Sequence, residues 1–191
     1  YEWNGNTYTV SGLTAEAAGT DAGEYPVNVT GTAVVKDPAG NDVTKQFKIN
    51  TFDGKLVINK RTVTLTSATD SKEYDGKALT NGNVSVGGDG FAKGEGAAYD
   101  VTGTQTLAGT SANTFTYTLN KGTKAGNYTI TTAEGTLTVS DREAKYTIKV
   151  VANSDSKKYD GQPMTVSGFK QTTFEVAGNS YTVEGLNASV E

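Results

Sequence analysis

Histidine and cysteine are both absent from the 191 residues, and that removes most familiar chemistry at once. A Ser-His-Asp triad, an imidazole general base, a thiolate nucleophile, a disulfide and nearly every zinc site are excluded. Carboxylates and aromatic rings remain. Glu73 and Asp75 flank Tyr74 and share a face of an extended chain, which is how two acids could meet one sugar in glycoside hydrolysis. A second copy of this segment carries Lys158 where Glu73 stands, so the module does not need the pair, and an acid beside glycine reads better as a turn former. Oxygen ligands for calcium gather in Asp37-Pro38-Ala39-Gly40-Asn41-Asp42. Their spacing departs from an EF-hand loop, and Asx turns account for them equally well. Trp3, the single tryptophan, is the residue best suited to stack on a glycan. Its counterpart in another copy is Val176, so the favoured reading is an indole filling a core or a junction, with glycan contact as the alternative. No catalytic residue, cofactor or metal ligand is assigned.

The Tyr-Asp-Gly triplets at Tyr74-Asp75-Gly76 and Tyr159-Asp160-Gly161 have a structural reading. The tyrosine ring enters a core with its hydroxyl at the rim, the aspartate bonds turn amides, and the glycine takes a positive φ. Tyr8, Tyr99 and Tyr181 recur at one module position and read as core. A covalent Lys–Asn link is another device open to a chain without disulfides; it needs a lysine, an asparagine and an acid buried together. Asn28-Val-Thr30, Asn83-Val-Ser85, Asn127-Tyr-Thr129 and Asn187-Ala-Ser189 match the glycosylation acceptor pattern and read as coincidence in a Thr- and Asn-rich chain.

The elements that must hold these residues are strands. Gly is plentiful at 23 and Pro scarce at 3, which suits tight turns rather than a stiff linker. Leu56 and Ile58, Leu137 and Val139, and Phe115, Tyr117 and Leu119 each alternate with other residues, the pattern of strands with one buried face. Asp53-Gly54 and Glu134-Gly135 read as hairpin turns between short strands. Helical spacing is never sustained, and the best short candidate is Leu13 to Ala18, closed by Gly19. The expected fold class is all-β, in tandem small sandwich (Ig-like) modules, with a β-grasp carrying one short helix as the alternative. Net charge is −4 with no basic stripe, so nucleic acid is an unsuitable partner. The segment carries no apolar run that would insert in a membrane.

Repetition organises the chain. Tyr1 to Ala15 returns at Phe174 to Ala188 without a gap, with nine of fifteen positions identical. Phe47 to Arg61 aligns with Tyr128 to Arg142, Asp70 to Gly76 with Asp155 to Gly161, and Ala98 to Gly103 with Thr7 to Gly12 and Ser180 to Gly185. The unit is a module of roughly 80–90 residues, and two divergent modules make the longer period, the signature of an array. Residues 61–142 form a complete module, 1–60 the later part of a preceding one, and 143–191 the first part of the next. A half-module exposes strand edges and half a core. The expectation is a window on a longer polypeptide, or one link in a head-to-tail assembly in which 143–191 of one chain completes 1–60 of the next. The start at Tyr1 without Met reads as a fragment.

At this point the chain resembles the MBG and YDG-type repeats of bacterial adhesins and large cell-surface proteins. The resemblance rests on Lys157-Lys158-Tyr159-Asp160-Gly161, on Gly19-Thr20-Asp21-Ala22-Gly23-Glu24-Tyr25, on Asp37 through Ile49, and on the closing Gly135-Thr136-Leu137-Thr138-Val139. With the internal copies it covers nearly the whole chain. It departs at Gly109 to Phe115, where the Ala-Gly pair reads as replaced. The resemblance implies an extracellular protein of a bacterial surface or cell wall, with these units as a stalk, and some such repeats are named for mucin binding. It carries over no catalytic residue. The expected function is therefore a non-enzymatic stalk or spacer whose partners are neighbouring repeats of the same or an identical chain. The alternative is a module that itself binds a host mucin or glycan.

Overall fold

A computed structural model describes residues 1–188; Ser189, the last residue of the fourth acceptor match, lies outside them. The fold is all-β and sandwich-type, built of small sheets, with 45% strand against 3% helix. That small helical share consists of two three-residue 3-10 turns, Thr44–Gln46 and Ala125–Asn127, so the β-grasp alternative with its short helix is not realised. The strands are β1 (Glu2–Trp3), β2 (Asn6–Thr7), β3 (Thr9–Glu16), β4 (Gly23–Lys36), β5 (Gly54–Ile58), β6 (Arg61–Ser67), β7 (Asp70–Glu73), β8 (Val84–Gly88), β9 (Ala97–Val101), β10 (Gly109–Ala112), β11 (Phe115–Leu119), β12 (Tyr128–Ala133), β13 (Thr136–Ser140), β14 (Thr173–Val176) and β15 (Asn179–Thr182).

The helical reading of Leu13 to Ala18 is corrected, since most of this stretch lies in β3, paired antiparallel with β4. Six residues are too few to hold a helix without tertiary help, whereas the ladder to β4 supplies backbone partners directly. At Gly12 the β3–β4 ladder shifts register. A Cβ there would stand 2.2 Å from the Thr32 carbonyl oxygen, and its φ is 79°, so the bulge requires glycine.

Packing divides the chain into two compact units. One comprises Tyr1–Thr66, Val84–Tyr99 and Tyr117–Ala133; the other comprises Ser67–Asn83, Asp100–Thr116 and Glu134–Glu191. The complete module is thus shared between two packing units, each of which joins part of it to a flanking segment. The first unit holds the β1–β2 hairpin, the sheet β3-β4-β5 and the sheet β12-β6-β8; the second holds β10-β13-β7 and the β14–β15 hairpin. β9 and β11 form a further two-stranded ribbon.

Two pairings are not legible from local sequence. β12 pairs in parallel with β6, from Tyr128↔Arg61 to Ala133↔Thr66. β13 pairs in parallel with β7, from Leu137↔Asp70 to Ser140↔Glu73. Parallel ladders need long crossovers, and here they tie the first strands of the module to its last. The hairpin reading of Glu134-Gly135 is accordingly corrected, because β12 and β13 belong to different sheets. Gly135 is there for close approach: a Cβ would lie 2.4 Å from the Ala68 carbonyl oxygen and 2.5 Å from that of Ser67. Asp53-Gly54 is no hairpin either, since β5 pairs with β4 and residues 47–53 form no strand.

The repeats share registers as well as residues. Glu2↔Thr7 and Trp3↔Asn6 in β1–β2 correspond to Glu175↔Ser180 and Val176↔Asn179 in β14–β15. Both hairpins turn on two residues of positive φ, Asn4-Gly5 and Ala177-Gly178, the type I′ pattern that suits strand twist. Likewise Gly23↔Ile58 through Pro26↔Lys55 matches Gly109↔Val139 through Ala112↔Thr136. This register sets Ala22-Gly23 against Ala108-Gly109, so the Ala-Gly pair of the complete module is present. The segment after it departs from a hairpin: it is strand β10, which is followed by Asn113.

Fully buried apolar side chains are few and concentrate where the parallel ladders run: Val63 and Leu65 of β6, Leu137 and Val139 of β13. The second unit also holds a polar node. Asn113 is fully buried and donates Nδ2–H to the carbonyls of Ala68 and Asn81, both at 2.9 Å. Ser67 Oγ donates to the Asn113 carbonyl at 2.6 Å and accepts the Gly135 amide at 3.0 Å.

Candidate functional site

Three places gather the side chains able to interact. The first is the Tyr-Asp-Gly turn. Asp75 Oδ1 accepts the Lys77 amide at 2.9 Å and Lys72 Nζ at 2.7 Å, and Gly76 has φ 77°. Asp160 Oδ1 accepts the Gln162 amide at 3.0 Å and Lys157 Nζ at 2.8 Å, and Gly161 has φ 76°. Each lysine precedes its aspartate by three residues, and both carboxyls lie below the usual range, chiefly because of that lysine. The acid is thus occupied by its own turn. Glu73 faces Arg142, 3.9 Å away, rather than joining Asp75 in a two-acid site.

The tyrosines of the two triplets part company. Tyr74 packs against the cluster of Leu79, Leu137 and Val139, while Tyr159 is 96% exposed. The core placement read for Tyr159 is therefore corrected; its ring has no counterpart of the β13 cluster to cover it. The next repeat meets the Tyr74 turn directly. Asn179 Nδ2 donates to the Asp75 carbonyl at 3.0 Å, and the Tyr74 and Tyr181 hydroxyls lie 3.2 Å apart. Here too Arg142 stacks over the Tyr146 ring at 4.3 Å.

This contact pushes the Tyr181 hydroxyl up to about 12, first through its hydrogen bond with Tyr74 and then through burial. A phenol raised in this way stabilises the folded contact fully below its ordinary value of 10.0. That contribution is lost as pH rises through the folded value. In an absorbance titration of the tyrosinates, Tyr74→Phe is expected to bring the Tyr181 step down toward its ordinary range. A step that stays near its high value would mean that burial, not the hydroxyl pair, sets it.

The second place is a knot between two copies of one motif. Gly19-Thr20-Asp21-Ala22-Gly23-Glu24-Tyr25 has a relative in Gly122-Thr123-Lys124-Ala125-Gly126-Asn127-Tyr128, a short recurrence present in the sequence but masked by the longer repeats. Lys124 Nζ donates to Asp21 Oδ2 at 2.7 Å and Oδ1 at 3.0 Å, Asn127 Nδ2 donates to Asp21 Oδ1 at 3.0 Å, and Asn127 Oδ1 accepts the Ala22 amide at 2.7 Å. The Lys124 bond, then that of Asn127, holds the Asp21 carboxyl below its ordinary range. The two copies differ at the two positions that make them complementary, Asp against Lys and Glu against Asn.

The third place is an open groove of about 1000 Å³ in the first unit, lined in part by Tyr1, Trp3, Tyr8, Val10, Phe47 and Phe52. Tyr8 packs on Phe47 with ring centroids 5.1 Å apart. Trp3, the indole read as core or junction, is instead 57% exposed, and Phe52 is 85% exposed. The strand that carries Trp3 has only β2 beside it, so nothing covers the ring.

The acids read as calcium ligands are engaged locally. Asp37 accepts the Asn41 amide at 2.8 Å and its side-chain Nδ2 at 3.0 Å, while Asp42 accepts the Thr44 amide at 3.0 Å and hydroxyl at 2.6 Å. Among the described residues no lysine amine bonds an asparagine side chain, and the buried Asn113 spends its amide protons on backbone carbonyls. Also among them, no helix is long and apolar enough to cross a membrane. Comparison with family models, curated proteins and solved structures finds no match.

Proposed function

We propose that this chain is a non-enzymatic stalk of tandem β modules from a bacterial extracellular surface or cell-wall protein. The observation that carries the reading is the recurrence of identical strand registers in successive copies, β1–β2 with β14–β15 and β4–β5 with β10–β13. A unit rebuilt in the same register, and meeting its neighbour through side chains that differ where they must complement, is how an array is made. The connections are short: Asn59-Lys60 separates β5 from β6, and Arg142 at the far end of the module is held by the Tyr74 carbonyl at 3.3 Å. Such joints transmit position rather than hinge freely.

The exposed Trp3 in its groove favours a second reading, a module that itself binds mucin or another glycan by stacking a sugar on the indole. A mucin and glycan array separates the two. The stalk is expected to stay silent while folded. Saturable binding that disappears in Trp3→Ala would make the repeat itself the adhesive.

A further inference from the structure

In the complete module two parallel ladders, β6 with β12 and β7 with β13, join the first strands to the last. The flanking segments each hold one side of both ladders and lack the other. Phe47 to Phe52 is the copy of β12 and forms no strand, while β5 is the copy of β13 and pairs only with β4. In the other flank, Tyr146 to Ala152 is the copy of β6, and Asp155 to Lys158 the copy of β7. Neither is a strand, although Ala152 bridges Phe169.

One edge of the β6 copy is already built as in the complete module. Asn153 donates its amide to the Gly168 carbonyl at 3.0 Å, as Ala68 does to Asn83 at 3.0 Å. Its other edge, where β12 would lie, is open. The apolar residues tell the same story. Val63 and Leu65 are fully buried, while their copies Ile148 and Val150 are only half-covered. Tyr128 is buried, while its copy Phe47 lines the open groove.

We infer that residues 47–59 of one copy of this chain pair with residues 146–158 of a second copy, head to tail, rebuilding both missing ladders. The register follows from the complete module: Phe47 opposite Tyr146 through Phe52 opposite Val151, then Leu56 opposite Asp155 through Asn59 opposite Lys158. This rests on the repeat reading proposed above and names its partner. The contact is heterologous, since the two surfaces differ, so it propagates into chains or rings instead of stopping at a symmetric dimer. Backbone ladders supply the affinity, and Ile148 and Val150 entering beside Phe47 supply the register.

The absence of cysteine makes the test clean. Asn50 and Lys149 are exposed and stand at the positions of Thr131 and Thr64, whose hydroxyls lie 3.1 Å apart in the complete module. Asn50→Cys and Lys149→Cys proteins, mixed under mild oxidation, are expected to give the mixed disulfide in roughly tenfold excess over either homodimer, because docking raises the effective thiol concentration. The excess should grow with protein concentration and vanish when the Lys149→Cys partner also carries Ile148→Asp. A Thr64→Cys/Thr131→Cys chain, closing within itself, shows that the pair position accepts a disulfide. If that control closes while the mixture gives only a statistical yield, or the yield is unchanged by Ile148→Asp, the pairing is wrong. A silent glycan array would then leave the stalk standing with a different joint. Glycan binding lost in Trp3→Ala would give the groove to a sugar and overturn both.

Discussion

Replacing Gly135 by alanine is expected to destabilise the chain by about 3 kcal/mol, whereas the same change at Gly54 should stay within about 0.5 kcal/mol. The two glycines occupy one position of the repeat, so a rule drawn from sequence alone would treat them alike. Their surroundings differ. A methyl group on Gly135 would meet the carbonyls of Ala68 and Ser67 at 2.4 and 2.5 Å, backbone that cannot swing aside as a side chain would. On Gly54 it would meet only the Val27 side chain, with Cβ at an ordinary 3.6 Å. Chemical denaturation of the two variants beside the parent reads the difference as a shift in midpoint at constant slope. Equal losses would show that glycine is needed for its backbone conformation, and not for the approach of the strand leaving β6. The comparison also bears on the head-to-tail contact. The copies of Ser67 and Ala68 are Ala152 and Asn153, so docking would bring a second copy's backbone up to Gly54. Gly54→Ala should then spare the stability of the free chain yet weaken its association.

The contrast explains which features are legible in the sequence. Strands are, because alternation is local: Leu137 and Val139 point to one face whatever lies opposite, and both are buried. The Asp-Gly turn chemistry is also legible, since Asp75 reaches an amide two residues away. Strand partners are not. The ladders β6–β12 and β7–β13 join residues more than sixty positions apart, and no local pattern encodes that choice. Glu134-Gly135 resembles a hairpin because glycine between two strands usually supplies a turn, and only the strand from elsewhere in the chain reveals it as a crossing point. Leu13 to Ala18 fails as a helix for the same kind of reason: its partner, β4, begins after the glycine that seems to end it. Trp3 departs from its expected burial because an indole is normally covered, and its cover is missing from this stretch of the repeat.

Asn113→Ala is expected to lower stability by about 2–4 kcal/mol, a loss comparable to deleting a core leucine. The residue would pass for a turn asparagine in a Thr-rich stretch, yet it is fully buried and its amide holds two chain segments by their carbonyls, Ala68 and Asn81. Truncation leaves both carbonyls without a donor in a site water does not reach, and an unpaired buried acceptor costs about 1–3 kcal/mol. Asn113→Asp keeps the shape and tests the direction of the bonds. Its carboxylate has no proton to give, faces two carbonyl oxygens and carries a buried charge, so it should destabilise more than alanine at neutral pH. Burial and those oxygens would raise the folded pKa of the new carboxyl above its unfolded one. A group raised in this way is least destabilising below its unfolded pKa, so the Asn113→Asp variant should recover relative to the parent as the pH falls, once its proton restores one donor. Thermal melts of the parent, Asn113→Ala and Asn113→Asp across the acidic range decide the matter. If the aspartate variant shows no recovery that the alanine variant lacks, donation by Asn113 is not what joins these segments, and the node is held by the Ser67 hydroxyl between the Asn113 carbonyl and the Gly135 amide.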